Sequence, residues 1–335
     1  MLSVFTVRTD GREGAGVTVA DRLPETVPSD AITWIDVQGI DNEVIHTLKE
    51  RFKLDDYSTE DVIVGNQRQK IEDYDEYDFS VIRVPSGTHK GLSFSELFFF
   101  FSDRWIITIH REEMQAVELA KERIKARGLS FLRTKPSTDL LYYLILDLAV
   151  DAFYPALDAR EEAIDKLEQR IERRIDNKGN DVQRVRNLSL SFVSIKSDLM
   201  ALRRDASALR DVLGQIMRGA VPFIRNETLR NFRDIYDHSF QLIETLDAYR
   251  ERVNEVRDLH ISMITASTNN VVKVLTIVVT ILSPLSLIAG IYGTNFTSGF
   301  FAPGTGVWYG FYTMVTAMAA IAAAMIYLFR RTGWI

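Results

Sequence analysis

Residues 274–329 read VLTIVVTILSPLSLIAGIYGTNFTSGFFAPGTGVWYGFYTMVTAMAAIAAAMIYLF, and no charged side chain occurs among them. All 46 acidic residues of the chain precede this segment, and Arg330 and Arg331 are the charges that follow it. A helix needs about 20 apolar residues to cross roughly 30 Å of hydrocarbon. The segment therefore predicts two transmembrane helices, at 274–291 and 308–329, joined by an uncharged external loop at 292–307.

Basic and aromatic residues orient these two spans. Lys273 precedes the first span, Arg330 and Arg331 follow the second, and Trp308 and Tyr327 mark the two ends of the second. Basic residues concentrate on the cytoplasmic side of a membrane, and two spans return the chain to its starting side. We therefore expect an integral protein of the cytoplasmic membrane with both termini in the cytosol and a basic tail at 330–335.

The first part of the chain, residues 1–137, alternates strand-like and helix-like patterns. Strand candidates lie at 2–8, 32–37, 77–84, 97–101 and 105–110, and Asn42–Phe52 reads as a helix. The run LFFFF at 97–101 predicts a strand that is buried on both faces. These patterns predict a cytosolic α/β domain with a mixed sheet.

The middle of the chain is helical and highly charged. We expect a helical hairpin region at 138–220 and a stalk helix at 221–273, with Pro222 at the start of that helix. A near-heptad seam includes Phe232, Leu246, Val253 and Val256. One helix from about 226 to 291 would be about 100 Å long, and we expect it to need partner copies to bury its seam.

One face of the first span, together with the residues just before it, repeats with a period close to 3.5 residues and is predicted to continue that seam. In a parallel ring of such helices this face would line an axial path, where Ser283 and Ser286 suit a water-filled lumen. Small residues such as serine and glycine also permit close helix packing, so periodicity alone leaves a pore and a packing face both open. The predicted pore-lining residues are Asn269, Val272, Leu275, Val279, Ser283, Ser286 and Gly290.

Other functional classes find no support in the sequence. The absence of cysteine excludes thiolate metal sites. No nucleophile–base motif, catalytic cofactor site or phosphate-binding loop is recognisable, and basic residues are interleaved with acidic ones. We therefore expect neither an enzyme nor a partner of nucleotides or nucleic acids; the expected partners are the lipid membrane and further copies of the chain.

Several motifs together resemble the CorA family of divalent-cation transport proteins. They are WIDV at 34–37, EDV at 60–62, KIEDY at 70–74, FRDIYDH at 232–238 and IAGIYGTNF at 288–296. The resemblance covers the whole chain in the same order. It implies a funnel-shaped homopentamer with a cytosolic α/β domain, a long stalk helix that lines the pore, and a second membrane helix outside it. It also implies transport of Mg²⁺, with Co²⁺ or Ni²⁺ as further candidates.

The selectivity loop departs from the family signature. Where the family has Gly-Met-Asn, this chain has Gly293, Thr294 and Asn295. The resemblance implies that a ring of Asn295 amides faces a hydrated cation, and Mg²⁺ sheds its water reluctantly. The related ZntB branch, associated with zinc uptake, also replaces the methionine, so a Zn²⁺ transporter is an alternative. A membrane-anchored sensor or scaffold that does not conduct is another.

The resemblance further implies regulation by cytosolic Mg²⁺ bound between subunits. Asp258 falls where the family has an acidic sensor residue in the stalk. The turn at 85–91, which would supply the partner acid from the next subunit, contains none. We therefore predict a metal-binding role for Asp258 with weakened or relocated gating.

Overall fold

The computed structural model describes residues 1–8, 17–24, 26–28, 30–87, 91–127, 136–172, 182–293 and 307–334. The chain divides into two compact units, Met1–Val256 and Arg257–Ile335. The described strands are β1 (Leu2–Arg8), β2 (Val17–Ala20), β3 (Ala31–Gln38), β4 (Lys70–Asp73), β5 (Asp78–Ser86), β6 (Ser93–Phe101) and β7 (Trp105–His110). The helices are α1 (Asn42–Phe52), α2 (Asp56–Val64), α3 (Gln115–Arg127), α4 (Thr138–Asp151), α5 (Phe153–Glu172), α6 (Val182–Met217), α7 (Leu229–Gly293) and α8 (Val307–Arg331).

The first unit contains a mixed sheet, as predicted. Its strand order is β2-β1-β3-β7-β6-β5-β4, in which β3 and β7 run parallel and the other neighbours run antiparallel. Each side chain of the LFFFF run in β6 is fully buried. The prediction of a strand with two covered faces is therefore confirmed, and it explains why this strand shows no polar alternation.

A buried polar network ties the parallel pair of strands to α3. Asp36 on β3 accepts a hydrogen bond from the hydroxyl of Thr108 on β7 at 2.5 Å and pairs with Lys121 of α3 at 2.7 Å. Nε2 of His110 lies 3.1 Å from the same carboxylate. Burial acts to raise the pKa of Asp36, but the hydrogen bonds and charges of His110 and Lys121 outweigh it and hold the pKa below its ordinary value. The carboxylate of Asp36 is thus ionised, and it is held by Thr108, His110 and Lys121.

Two further buried carboxylates hold the segment that leads into α7. Asp139 at the start of α4 accepts hydrogen bonds from the backbone N–H of Arg225 at 3.1 Å and from the hydroxyl of Thr228 at 2.6 Å. Asp78 of β5 accepts one from the N–H of Phe223 at 3.1 Å. The turns around 222–228 are therefore fixed to both the sheet and α4. For this reason α7 begins at Leu229, and the prediction that Pro222 starts this helix is wrong.

The first half of α7 packs into the first unit. Phe232 contacts the rings of Tyr142 and Tyr143, with both ring centroids 5.8 Å away. Arg252 bridges to two carboxylates of α5, each at 2.7 Å. The predicted seam is largely buried within a single chain, including Phe232, Ile243, Leu246, Val253 and Val256. Burial of the seam therefore does not require partner copies, which corrects our argument for an oligomer from the seam.

Three described helical stretches are long and apolar enough to cross a membrane, judged by length and composition: Thr138–Ile171, Leu229–Gly293 and Phe311–Arg331. The apolar window of the first is 67% buried inside the protein, whereas the windows of the other two are 0% buried. A helix that already has its apolar residues covered by protein gains little from lipid. The two uncovered windows belong to α7 and α8, where the sequence predicts the spans.

We predict that Asp139→Ala will destabilise the protein by about 2–3 kcal/mol, because it leaves buried donors of Arg225 and Thr228 without their charged acceptor. The measurement is the thermal midpoint of the full-length protein in detergent. Asp211→Ala, which removes an exposed carboxylate beside Arg210, is the control and should change the midpoint little. An equal effect of the two variants would contradict the role assigned to Asp139.

Asp78 should make the stability of the protein depend on pH near neutrality. Burial raises the pKa of Asp78 to about 7, although the hydrogen bond from Phe223 opposes the rise. The folded state therefore retains a proton that the unfolded state releases near pH 4, so the stability contributed by this group decreases as pH rises towards 7. Asp78→Asn removes this loss and should raise the thermal midpoint relative to wild type more at pH 8 than at pH 5.5. Glu76→Gln, at an exposed position, should show no such pH-dependent difference.

Candidate functional site

The candidate site is the exposed side of α7 in the second unit, which we call the α7 stripe and define by the predicted pore-lining residues. The structure places all seven of these residues on one helix, and all are exposed in the single chain. The opposite side of the same helix is partly or fully covered, at Lys273, Ile277, Ile281, Pro284, Leu285 and Ile288. Ser286 follows Ile277 by nine residues, which places it about half a turn away around the helix.

The stripe does not continue the buried seam of the first half of α7, which corrects a second expectation. The seam runs on through His260 and Ile277, both buried. Asn269 follows Val256 by 13 residues, about 140° away from the seam direction on an ideal helix. The stalk seam and the stripe therefore lie on different faces, although each has a spacing of three and four residues.

Polar groups on the stripe are available for contacts outside the helix. In the part of the chain that the structure describes, the side chains of Asn269, Ser283 and Ser286 make no hydrogen bond. The hydroxyl of Thr280, in contrast, donates to the carbonyl of Thr276 at 2.7 Å. An amide or hydroxyl group at membrane depth without a partner is costly in hydrocarbon. Ser283 and Ser286, which lie within the predicted span 274–291, therefore need water, an ion shell or a neighbouring copy beside them.

Thr276 is a stripe residue that our sequence analysis missed. It lies seven residues from both Asn269 and Ser283, so it shares their face more closely than Leu275 does. It is exposed, and its hydroxyl donates to the carbonyl of Val272 at 2.8 Å. A strict heptad count from Asn269 would have identified it.

A proline and two glycines lie near the C-terminal end of α7. Pro284 lies inside the helix, and since it has no N–H it leaves the carbonyl of Thr280 without its helical donor. At Gly290 and Gly293 a Cβ atom would meet nothing within 4 Å. Packing against the described residues therefore does not require glycine at either position. Of the predicted selectivity loop, Gly293 is the last residue of α7, whereas Thr294 and Asn295 lie outside the described residues.

The other end of the apolar segment is fastened to α8. The ammonium group of Lys273 donates to the carbonyl of Gly333 at 3.2 Å and lies 5.9 Å from the ring centre of Trp334. The ring of Trp334 in turn packs against Phe329, with centroids 5.8 Å apart. The first residue before one apolar helix thus meets the residues just after the other, as expected if both lie at the same membrane surface.

Asp258, the predicted metal ligand of the stalk, lies on α7 with 64% of its side chain exposed. Its carboxylate pairs with the guanidinium of Arg257 at 2.9 Å. Within the described ranges, no group of three or more His, Cys, Asp or Glu side chains is arranged to hold a metal ion. The described part of the chain therefore does not bring Asp258 together with other metal ligands.

Comparison with known proteins identifies clear relatives. The family model described as "CorA-like Mg2+ transporter protein" matches residues 29–331. The cobalt/magnesium transport protein CorA of Thermotoga maritima is 30% identical over 308 residues, covering 90% of this chain and 83% of that protein. The complete structure of the CorA magnesium transporter from Methanocaldococcus jannaschii shares the fold, with a TM-score of 0.82 at 22% identity over 99% of this chain and 98% of that one.

A weaker similarity is to the zinc transport protein ZntB of Pectobacterium carotovorum. It is 23% identical over 178 residues, which covers 53% of this chain and 50% of that protein. The similarity to a zinc transport protein therefore extends over about half of the chain, whereas the similarity to cobalt/magnesium transport proteins extends over most of it.

We predict that Lys273→Met will lower the thermal midpoint of the detergent-solubilised protein. The variant loses the hydrogen bond to Gly333 and the cation–π contact with Trp334, together worth about 1–2 kcal/mol. Lys273→Arg should recover part of the loss, and Lys196→Met, on an exposed face of α6, should have no effect. A midpoint unchanged in Lys273→Met would show that the two helix ends are held together by other contacts.

Proposed function

The chain belongs to the family of CorA-like Mg²⁺ transporter proteins, and from that premise we propose that divalent cations cross the membrane along the α7 stripe. This membership confirms the resemblance seen in the sequence motifs. In our proposal α7 and α8 are two membrane spans with both termini in the cytosol. A parallel ring of copies, five if it follows the family resemblance, then brings the stripes around one axial path.

The observation that carries the proposal is the contrast between the two sides of α7 in the second unit. One side is covered within the chain, where Ile277 is buried. The other presents Ser283 and Ser286 without partners inside the proposed span, where polar groups are rare unless they face protein or water, and Asn269 without a partner just before the span. A water-filled path between copies satisfies these groups.

The chemistry of the stripe suits an ion that keeps its water shell. Mg²⁺ dehydrates reluctantly and is often held through its waters. Hydroxyl and amide oxygens can accept hydrogen bonds from those waters, yet no carboxylate is present in 274–329 to bind the ion tightly. Conduction requires binding that is weak enough for release, which an uncharged path provides, and the membrane potential supplies the driving force for a cation.

We propose that Gly293, Thr294 and Asn295 form the outer mouth of this path. The amide oxygen of Asn295 would accept hydrogen bonds from the hydrated ion, as the family signature implies. Thr294 would add a hydroxyl where the signature has methionine. For Asp258 we propose a regulatory Mg²⁺ site shared between copies, since its exposed carboxylate has no further acidic ligand among the described residues of its own chain.

The first test is uptake of Mg²⁺, Co²⁺, Ni²⁺ and Zn²⁺ into proteoliposomes, comparing wild type with Asn295→Ala. We expect Mg²⁺ uptake that is reduced at least tenfold in the variant. Zn²⁺ uptake without Mg²⁺ uptake would instead support the zinc alternative. No uptake of any of the four ions by an intact oligomer would support a non-conducting sensor or scaffold.

The stripe itself can be tested by thiol labelling, because the chain contains no cysteine. Ser286→Cys should react with a hydrophilic, membrane-impermeant thiol reagent, since the reactive thiolate requires water, and the bulky adduct should block uptake. Val278→Cys is the matched control. It is also exposed in the single chain, but it lies eight residues before Ser286, about 80° away from it around the helix, and about 140° away from Ser283. Equal labelling of the two cysteines, or block of uptake by Val278→Cys alone, would show that the stripe does not line the path.

A further inference from the structure

The end of α8 presents two arginines that no other part of the described chain engages. Arg330 and Arg331 are both exposed, and the described residues offer neither of them an ion pair or a side-chain hydrogen bond. Lys273 is the other cation at this end, but its ammonium is already bound to the carbonyl of Gly333. The two guanidinium groups are therefore the uncommitted positive charge at this membrane boundary.

The backbone beyond the arginines fixes their position. Gly333 has a φ of +71° and closes the helix with a hydrogen bond from its N–H to the carbonyl of Arg330 at 3.2 Å. The N–H of Trp334 donates to the carbonyl of Phe329 at 2.9 Å, which turns the chain back on the helix. A left-handed glycine with this pair of hydrogen bonds is a stable helix end, so the arginines lie at a defined place on a closed helix terminus.

Aromatic side chains set the depth of this terminus. Tyr327 and Trp334 are both partly exposed on either side of the arginine pair. Tyrosine and tryptophan favour the level of the lipid headgroups, where one part of the ring is apolar and the other is wet. The arginines between them therefore lie at the level of the phosphates.

We propose that Arg330 and Arg331 bind the headgroup phosphates of acidic phospholipids in the leaflet that faces the cytosol. A guanidinium group matches a phosphate through two parallel hydrogen bonds. The acidic residues of the chain outnumber its basic ones, and all of them precede Lys273, so the remainder of the protein offers no general attraction to an anionic surface. The contact would place acidic lipid beside the interaction of Lys273 with Gly333 and Trp334, which joins α7 to α8. The proposal rests on the membrane placement of α8 and is independent of the ion transported.

The experiment uses the purified full-length protein in a non-ionic detergent at low salt. Dioctanoyl phosphatidylglycerol, dioctanoyl phosphatidylcholine and sodium phosphate are each titrated, and the thermal midpoint and the lipids bound per chain by native mass spectrometry are recorded. We expect phosphatidylglycerol to raise the midpoint with a saturable dependence that weakens as salt is increased. Phosphatidylcholine should have a much smaller effect. An equal effect of sodium phosphate would show a simple anion site and overturn the assignment to lipid.

The matched pair of variants is Arg330→Gln/Arg331→Gln and Arg230→Gln/Arg233→Gln. Each removes two exposed arginines, but the second pair lies at the start of α7. At roughly 1 kcal/mol for each basic residue at an anionic surface, the first variant should bind phosphatidylglycerol about thirtyfold more weakly, and the second should bind it as wild type does. Unchanged binding in the first variant would overturn the proposal. If that variant does not accumulate, Arg330→Lys/Arg331→Lys keeps the charge but loses the paired hydrogen bonds, and its affinity should be intermediate; wild-type affinity would refute the bidentate contact.

Discussion

The constraint on which this protein depends is that a single helix, α7, passes through different surroundings along its length. Its backbone hydrogen bonds must be made, and its side chains must find suitable contacts, in each of these surroundings. Its N–H and C=O groups bond within the helix, so the backbone is acceptable to water, to a protein core and to lipid alike. The side chains, in contrast, differ in chemical type from one part of the helix to the next. Around Phe232 they meet aromatic rings of the first unit, around Arg252 they meet carboxylates, and after Lys273 they carry no charge at all.

The start of this helix and the boundary of its uncharged segment are both fixed by polar contacts rather than by apolar packing alone. At the start, Asp139 and Asp78 bind backbone N–H groups of the preceding turns. At the boundary, Lys273 binds the carbonyl of Gly333 beside the ring of Trp334. Hydrogen bonds have directions, whereas apolar contacts do not. These contacts therefore set where the helix begins and how its membrane part meets α8.

In the second unit the two faces of α7 have different surroundings. The covered face packs against other residues of the chain, whereas in our proposal the exposed stripe contacts water, ions and other copies. This difference explains why the stripe includes polar side chains but no charged ones. A charge would be costly in lipid, whereas serine and asparagine can serve both an aqueous path and close approach of helices. The family membership makes ion transport the function that this arrangement serves.

The sequence by itself predicted the two apolar segments of α7 and α8, the buried run in β6 and the approximate bounds of β1, β3, β5, β7 and α1, because these follow from local hydrophobicity and periodicity. It did not reveal the short strands β2 and β4 or helix α3, whose residues lack a strong pattern and gain their structure from pairing and packing with neighbours. The sequence analysis assigned a single continuous seam to α7, whereas in the structure the buried seam and the exposed stripe lie on different faces. A period of 3.5 residues shows which residues share a face, but it does not show what covers that face. Only the tertiary structure brought Asp36 to His110 and Lys121, buried Asp78, and joined Lys273 to Trp334. Contacts between residues 60 or more apart depend on the path of the chain, which local pattern does not encode.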